Sequence, residues 1–316
     1  MKGNKLFSLE GLSRREITLV LVCCSAFLLF QTIVVGLIPA QVFMVALFLL
    51  LFFAHDYTRK MAVALLPFVL FEISYDWMRL YPNYMVNEVD TQGVYEAERH
   101  LFGINMNGQT VIPGEFFNTH NNAIADFLAG IFYLCWVPVP IAFGLFLFIK
   151  GERRDYLRFA LAFLFVNWLG FIGYYIHPTA PPWYVLEHGF IPDFSTPGNV
   201  AGLIRFDEMI GIPVFQSIYV NNSNIFAAIP SLHAAYMLIA TIYTVISHRS
   251  WFCTIVFAVI TMGIWWTAVY SCHHYIIDVM LGIATGCIGV ALFEKLLMKW
   301  SPFARFFNTY DRYITK

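Results

Sequence analysis

From Ile17 to Ala54 the chain carries no charged side chain. Such a stretch cannot form the surface of a domain in water. In hydrocarbon every backbone N–H and C=O must be satisfied within the protein, which leaves helices or closed barrels, and a membrane helix needs about 20 mostly apolar residues. Runs of this kind recur, and eight spans are read at roughly 17–37, 40–54, 61–80, 124–149, 156–176, 229–247, 251–270 and 273–294. The second is short. Pro39 divides a stretch too long for one helix and short for two, so a tilted or re-entrant element is an option there. Composition agrees: 12% of the 316 residues are charged, against about 25% in a soluble domain. The expected fold is an all-α polytopic membrane helical bundle.

Charge placement sets the topology. With the N-terminus in the cytoplasm, cytoplasmic segments hold 16 of the 19 Lys and Arg, and only Arg79, Arg99 and Arg205 fall on the other side. Both termini are therefore expected in the cytoplasm. Segments 81–123 and 177–228 face outward. The first has the make-up of a chain holding an amphipathic helix on the interface. The second opens on His177-Pro178-Thr179-Ala180-Pro181-Pro182-Trp183-Tyr184, expected to be a stiff, non-helical corner. An Asn221-Asn222-Ser223 sequon lies in it, a triplet that arises easily by chance. The net charge of −1 leaves no nucleic-acid footprint. The six cysteines sit in or beside apolar spans as small apolar fillers, with no CxxC pair. The polar stretch Met1–Arg15 precedes a full span with no small-residue cleavage pattern, so no cleavable signal is expected.

Chemistry concentrates in Ser271-Cys272-His273-His274-Tyr275-Ile276-Ile277-Asp278 and Pro230-Ser231-Leu232-His233. Spaced i, i+4 on one helix face, Asp278 would accept from one nitrogen of His274, set its tautomer and leave the other nitrogen to attack phosphorus. The bland alternative is a polar pair that holds helices together, but ionisable groups within membranes are usually functional. Pro230 is expected in the first turn of the next helix back, with Ser231 close behind, where unpaired N–H groups suit an anion. His233 would move the proton, or merely snorkel to the interface. The third span ends Glu72-Ile73-Ser74-Tyr75-Asp76-Trp77-Met78-Arg79, and Arg79 is assigned to the phosphate with Tyr75 and Asp76 beside it. The alternative is an Arg79–Asp76 pair that only anchors the helix end. Arg205 is a second phosphate candidate. His273, about 100° around the helix from His274, contacts substrate or is structural.

These segments resemble the second and third motifs of the type-2 phosphatidic acid phosphatase superfamily, and more closely its inositol phosphorylceramide synthase branch. The branch likeness rests on Pro181-Pro182-Trp183-Tyr184, Pro230-Ser231-Leu232-His233, His273-His274-Tyr275-x-x-Asp278 and Tyr75-Asp76-x-x-Arg79. The resemblance covers roughly 61–294. It implies a six-helix catalytic core at 61–294, two added spans in 1–60 and a cytoplasmic tail at 295–316. It also implies attack by His274 and no metal or other cofactor. The phosphatase branch carries an Arg where this chain has Ala268, and a Gly where it has Leu232. A phosphate diester carries one negative charge and a monoester nearly two, so a thin cation set favours a diester donor.

The resemblance thus points to a membrane enzyme that moves a headgroup, phosphoinositol first, from a glycerophospholipid to a ceramide-like hydroxyl and releases diacylglycerol. The corner at Pro181–Tyr184 is a candidate lid against water. The site would face the periplasm in a bacterium or the Golgi lumen in a eukaryote. Rival readings are a lipid phosphate phosphatase, a metal-dependent enzyme using these histidines as ligands, and a non-catalytic transporter or lipid-binding protein.

Overall fold

The computed structural model describes residues 12–36, 39–220 and 224–316. Most of the positively charged tail and the 221–223 sequon lie outside them. The first two helices, α1 (Arg14–Val34) and α2 (Pro39–Ala54), are followed by α3 (Asp56–Ala64) and α4 (Leu66–Asp76), and the last pair bends by 42°. The outer segment between spans supplies α5 (Gln92–Phe102) and α6 (Pro113–Thr119). Next come α7 (Ala123–Leu134) and α8 (Pro138–Ile149), a second pair bent by 42°, then the long α9 (Arg153–Ile176). Short helices α10 (Pro182–His188), α11 (Ile204–Ile210) and α12 (Val214–Tyr219) fill the second outer segment. The chain ends with α13 (Leu232–Ile246), α14 (Trp251–Tyr270), α15 (Ile276–Lys295) and α16 (Ser301–Thr315).

Taking each bent pair as one unit, six of the eight expected spans are long and apolar enough to cross a membrane among the described residues, and the runs at 40–54 and 229–247 form the shorter apolar helices α2 and α13. Both bends fall next to a proline, Pro67 and Pro138, which lacks an N–H and breaks the ladder. The short α2, about 24 Å long, packs against α3 and reaches the end of α4. Its Gln41 donates to Asp76 at one end (2.7 Å), and its last turn offers Leu51 and Phe52 carbonyls to Thr58 and Arg59 at the other. The helix Asp56–Ala64 runs across the boundary expected at residue 60.

The charge-rich loops meet at one end of the bundle. Arg154 pairs with Asp311 (3.0 Å), Arg249 with Glu152 (2.7 Å), and Arg158 with Glu294. The Tyr310 hydroxyl of α16 reaches the Val63 carbonyl of α3 (2.5 Å). The two outer segments meet at the opposite end. Asn83 donates to the carbonyls of Tyr174 (2.9 Å) and Phe226 (2.8 Å), and Thr179 forms bridges to both Asp90 and Ala227.

Three local expectations change. The corner at Pro181–Tyr184 is helical: Pro181 caps and Pro182 occupies the first turn of α10, where a fixed φ and a missing N–H cost nothing. Its Trp183 and Tyr184 are buried, so it is a packed wall and not a lid. Pro230 stands one residue before the cap Ser231 and is not in the first turn. The bundle is also not purely helical. A hairpin pairs β1 (Ile104–Met106) with β2 (Gln109–Val111) through Asn107-Gly108. Both turn residues have positive φ, 53° and 84°, as a two-residue turn matching strand twist requires.

Candidate active site

The site is built where α13 and α15 begin side by side. Ser231 caps α13, its N–H bonded to the Asp278 carbonyl in the first turn of α15 (3.0 Å). This approach depends on Gly282, because a Cβ there would lie 2.1 Å from the Ser231 carbonyl oxygen. One turn on, a Cβ at Gly286 would meet only the end of the Leu238 side chain, at 3.1 Å, before ordinary contacts.

After α14 the chain turns sharply. The N–H groups of His273 and His274 both reach back to the Ala268 carbonyl (3.1 and 2.9 Å), and Cys272 takes a φ of 61°. A non-glycine residue in that region is strained by roughly 1–2 kcal/mol, and such strain clusters at functional sites. The turn is clamped from outside by Trp183 N–H on the Cys272 carbonyl (3.1 Å) and Gly202 N–H on that of Ser271 (2.9 Å).

Helix α15 starts only at Ile276, so His274 precedes it and does not share a helical face with Asp278. The same holds for His273. The pair forms nonetheless, because Asp278 is the third residue of α15 and its carboxylate folds back over the turn. Asp278 Oδ2 accepts from Tyr275 N–H (3.0 Å) and lies 3.3 Å from His274 Nδ1. An ionised Asp278 carboxylate can only accept, which assigns the proton of a neutral His274 to Nδ1. Nε2 then carries the lone pair, and it lies 3.1 Å from Nδ1 of His233. Both residues of the Asp278–His274 pair are buried.

A carboxylate from far away completes this turn. Glu98 of α5 is 1% exposed and offers one oxygen to Ile276 N–H (2.8 Å) and the other to Ile277 N–H (3.2 Å). These are the first N–H groups of α15, which have no partner within the helix. Burial pushes the Glu98 carboxyl up to about 7, against the pull of those two donors. Sequence reading missed Glu98. It lies in a polar segment and acts across 178 residues, so no local spacing marks it.

His233, His273 and His274 line a cavity of about 570 Å³ with Tyr75, Asp76 and Arg79. Aromatic rings enclose the imidazoles. Trp136 tilts over His233 (4.6 Å), Tyr133 stacks on His233 (5.2 Å), and Tyr219 stacks on His273 (4.4 Å). His273 donates through Nε2 to the Val200 carbonyl (2.9 Å), which pins its ring in the wall. The cavity reaches the flank of the bundle, where exposed Glu72 and Pro138 line it.

The remaining candidates separate. Arg79 lines the cavity and is ion-paired with Asp76, which also accepts from Gln41 (2.7 Å). Arg205 does not line it. Its guanidinium binds Asp126 (2.6 Å), lies over Tyr270, and borders a separate recess beside Cys272. The phosphate assignment of Arg205 is corrected to a brace behind the histidine turn, since Asp126 claims its charge. Ser231 sits under the site with Oγ fully buried and no partner among the described residues.

Residues 94–292 match the PAP2 superfamily. The chain is 57% identical over 302 residues to phosphoinositol dihydroceramide synthase of Bacteroides thetaiotaomicron, covering 96% of this chain and 99% of that protein. It is 28% identical over 204 residues to inositol phosphorylceramide synthase of Candida albicans, covering 61% of this chain and 41% of that protein. It is 27% identical over 194 residues to the catalytic subunit of that synthase in Saccharomyces cerevisiae, covering 59% and 45%. The chain thus spans under half the length of the fungal relatives. No solved structure matches it. The paired imidazoles, the helical spans and the matched segment agree: this chain is an integral membrane protein of the PAP2 superfamily.

Proposed function

We propose that the chain transfers phosphoinositol from phosphatidylinositol to the primary hydroxyl of a ceramide-like lipid through a phosphohistidine on His274. The observation that carries this reading is the contact of His274 Nε2 with His233, with Asp278 on the other ring nitrogen. In the first step Nε2 attacks phosphorus and the P–O bond to glycerol breaks. His233, entering as imidazolium, gives its proton to the departing oxygen, and diacylglycerol leaves. Asp278 holds the Nδ1 proton and offsets the positive charge on the phosphorylated ring. In the second step the acceptor hydroxyl gives its proton to His233 and its oxygen takes the phosphorus. The P–N bond breaks and its electron pair returns to Nε2. The phosphoryl group must come between the two imidazoles, so their mutual hydrogen bond opens in each turnover.

Two features support a diester donor and a lipid acceptor. Arg79 is the one Lys or Arg among the described residues lining the cavity, and Asp76 offsets part of its charge. That suits a monoanion better than a dianion. The aromatic shell of Tyr133, Trp136 and Tyr219 keeps water from the phosphohistidine, where hydrolysis would compete. The relative from Bacteroides, named for phosphoinositol and dihydroceramide, points to the same substrates.

In this reading the end that carries the Lys and Arg loops faces the cytoplasm, together with both termini, and the histidines face outward. The test uses the full chain in vesicles of phosphatidylinositol and dihydroceramide with excess chelator. Lipid mass spectrometry is expected to find inositol phosphorylated dihydroceramide and diacylglycerol in equal amounts, both lost in a folded His274→Ala variant. Release of phosphate from phosphatidic acid with no new sphingolipid would overturn the proposal.

A further inference from the structure

Glu72 has no role in the chemistry above. Three other carboxylates in and beside the spans have partners: Asp126 has Arg205 and Tyr270, Glu294 has Arg158 and Tyr243, and Asp76 has Arg79 and Gln41. Glu72 makes no hydrogen bond or ion pair among the described residues, yet it lines the histidine cavity. Its side chain is exposed at the open flank of that cavity, where a carboxyl group turned toward lipid carries a cost that a bound ligand can offset.

Its depth identifies that ligand. Along α4, Glu72 stands about 10 Å inward of Arg79. Its neighbour Phe71 packs edge-on against Tyr236 (5.7 Å), which lies about one turn inward of His233 on α13. Glu72 therefore lies deeper in the bundle than Arg79 and about one turn inward of His233, on the side toward the acyl chains in the proposed orientation. At that depth a glycerophospholipid offers only ester oxygens, which are acceptors and gain nothing from a carboxylate. A ceramide-like lipid offers an amide N–H and a secondary hydroxyl, both donors, a few bonds from its primary hydroxyl.

We propose that Glu72 forms the acceptor subsite, its carboxyl oxygens receiving hydrogen bonds from the amide and secondary hydroxyl of the sphingoid lipid. The inference rests on the transferase reading above and adds what tells acceptor from donor in one cavity. It also favours a ceramide-like acceptor over diacylglycerol, whose capture would only regenerate the donor. A site built to bond a donor group rejects analogues that lack it.

The experiment compares the wild type with Glu72→Gln and Glu72→Ala in vesicles of stated lipid content. Acceptors are dihydroceramide and its 3-deoxy analogue, and exchange of labelled diacylglycerol into phosphatidylinositol reports the donor half-reaction. Loss of charge-assisted hydrogen bonds is expected to raise the KM for dihydroceramide about tenfold or more. Exchange should fall by much less. The wild type should suffer a smaller loss on the 3-deoxy acceptor, which keeps its amide N–H, and that penalty for the missing hydroxyl should nearly vanish in Glu72→Ala, with Glu72→Gln between. An unchanged acceptor KM, or equal losses in exchange and transfer, overturns the subsite. A wild type that makes no inositol sphingolipid overturns the function reading instead.

Discussion

Replacing Gly282 by alanine tests whether the two histidine-bearing segments must touch. The new Cβ would stand 2.1 Å from the Ser231 carbonyl oxygen and 2.9 Å from its carbon, both backbone atoms that no rotamer change can move. Relief to even a tight contact requires a shift of about 1 Å between α13 and α15. That shift stretches the bond from Ser231 N–H to the Asp278 carbonyl and moves His233 relative to His274. Overpacking costs about 1–3 kcal/mol, while alanine in a helix interior returns about 1 kcal/mol, so the change in thermal stability should be small. Activity should respond far more, because a misplacement of about 1 Å is worth roughly 100-fold in rate. Gly286→Ala is the control, since its Cβ meets a flexible leucine end. The assay is initial-rate transfer in detergent–lipid micelles alongside thermal unfolding. A folded Gly282→Ala protein with wild-type kcat, or an equal loss in Gly286→Ala, would refute the coupling.

Two further outcomes follow from the site. Asp278→Asn should lower kcat by about 100- to 10,000-fold, since an amide can donate to Nδ1 and move the proton onto Nε2; single-turnover kinetics showing less than a tenfold loss would argue against the tautomer assignment. Glu98 keeps its proton up to about pH 7 in the fold, against an ordinary value of 4.5. Between those values the folded state binds more protons, so its contribution to stability is full below the lower one and is lost as pH rises through about 7. Glu98→Gln has no such proton, and its melting temperature should fall less between about pH 5 and about pH 8; parallel curves would contradict this.

Much of the fold was legible because hydrocarbon imposes a simple rule, and each of the eight runs of low polarity is helical, six of them long enough to cross a membrane once bent pairs are joined. What periodicity cannot read is where a helix begins. His274 and Asp278 have helical spacing in sequence, but the first turn forms only at Ile276, where Glu98 supplies acceptors for its N–H groups. The meeting of His233 with His274 was foreseeable from two motifs on one side of the membrane. The fate of Arg205 was not, since Asp126 lies 79 residues away in an apolar run that gives no sign of pairing. The Asn107-Gly108 dipeptide is a turn signal, but strands of three residues are too short for alternation to mark a hairpin around it.

The bend between α7 and α8 leaves the histidine cavity bordering the side of the bundle at Pro138 and Glu72. Substrates drawn through such a doorway arrive by two-dimensional diffusion and never dissolve in water. Turnover then obeys surface-dilution kinetics. At constant bulk substrate, doubling an inert phospholipid lowers the rate, whereas adding more vesicles of unchanged mole fraction leaves each enzyme molecule working at its former pace.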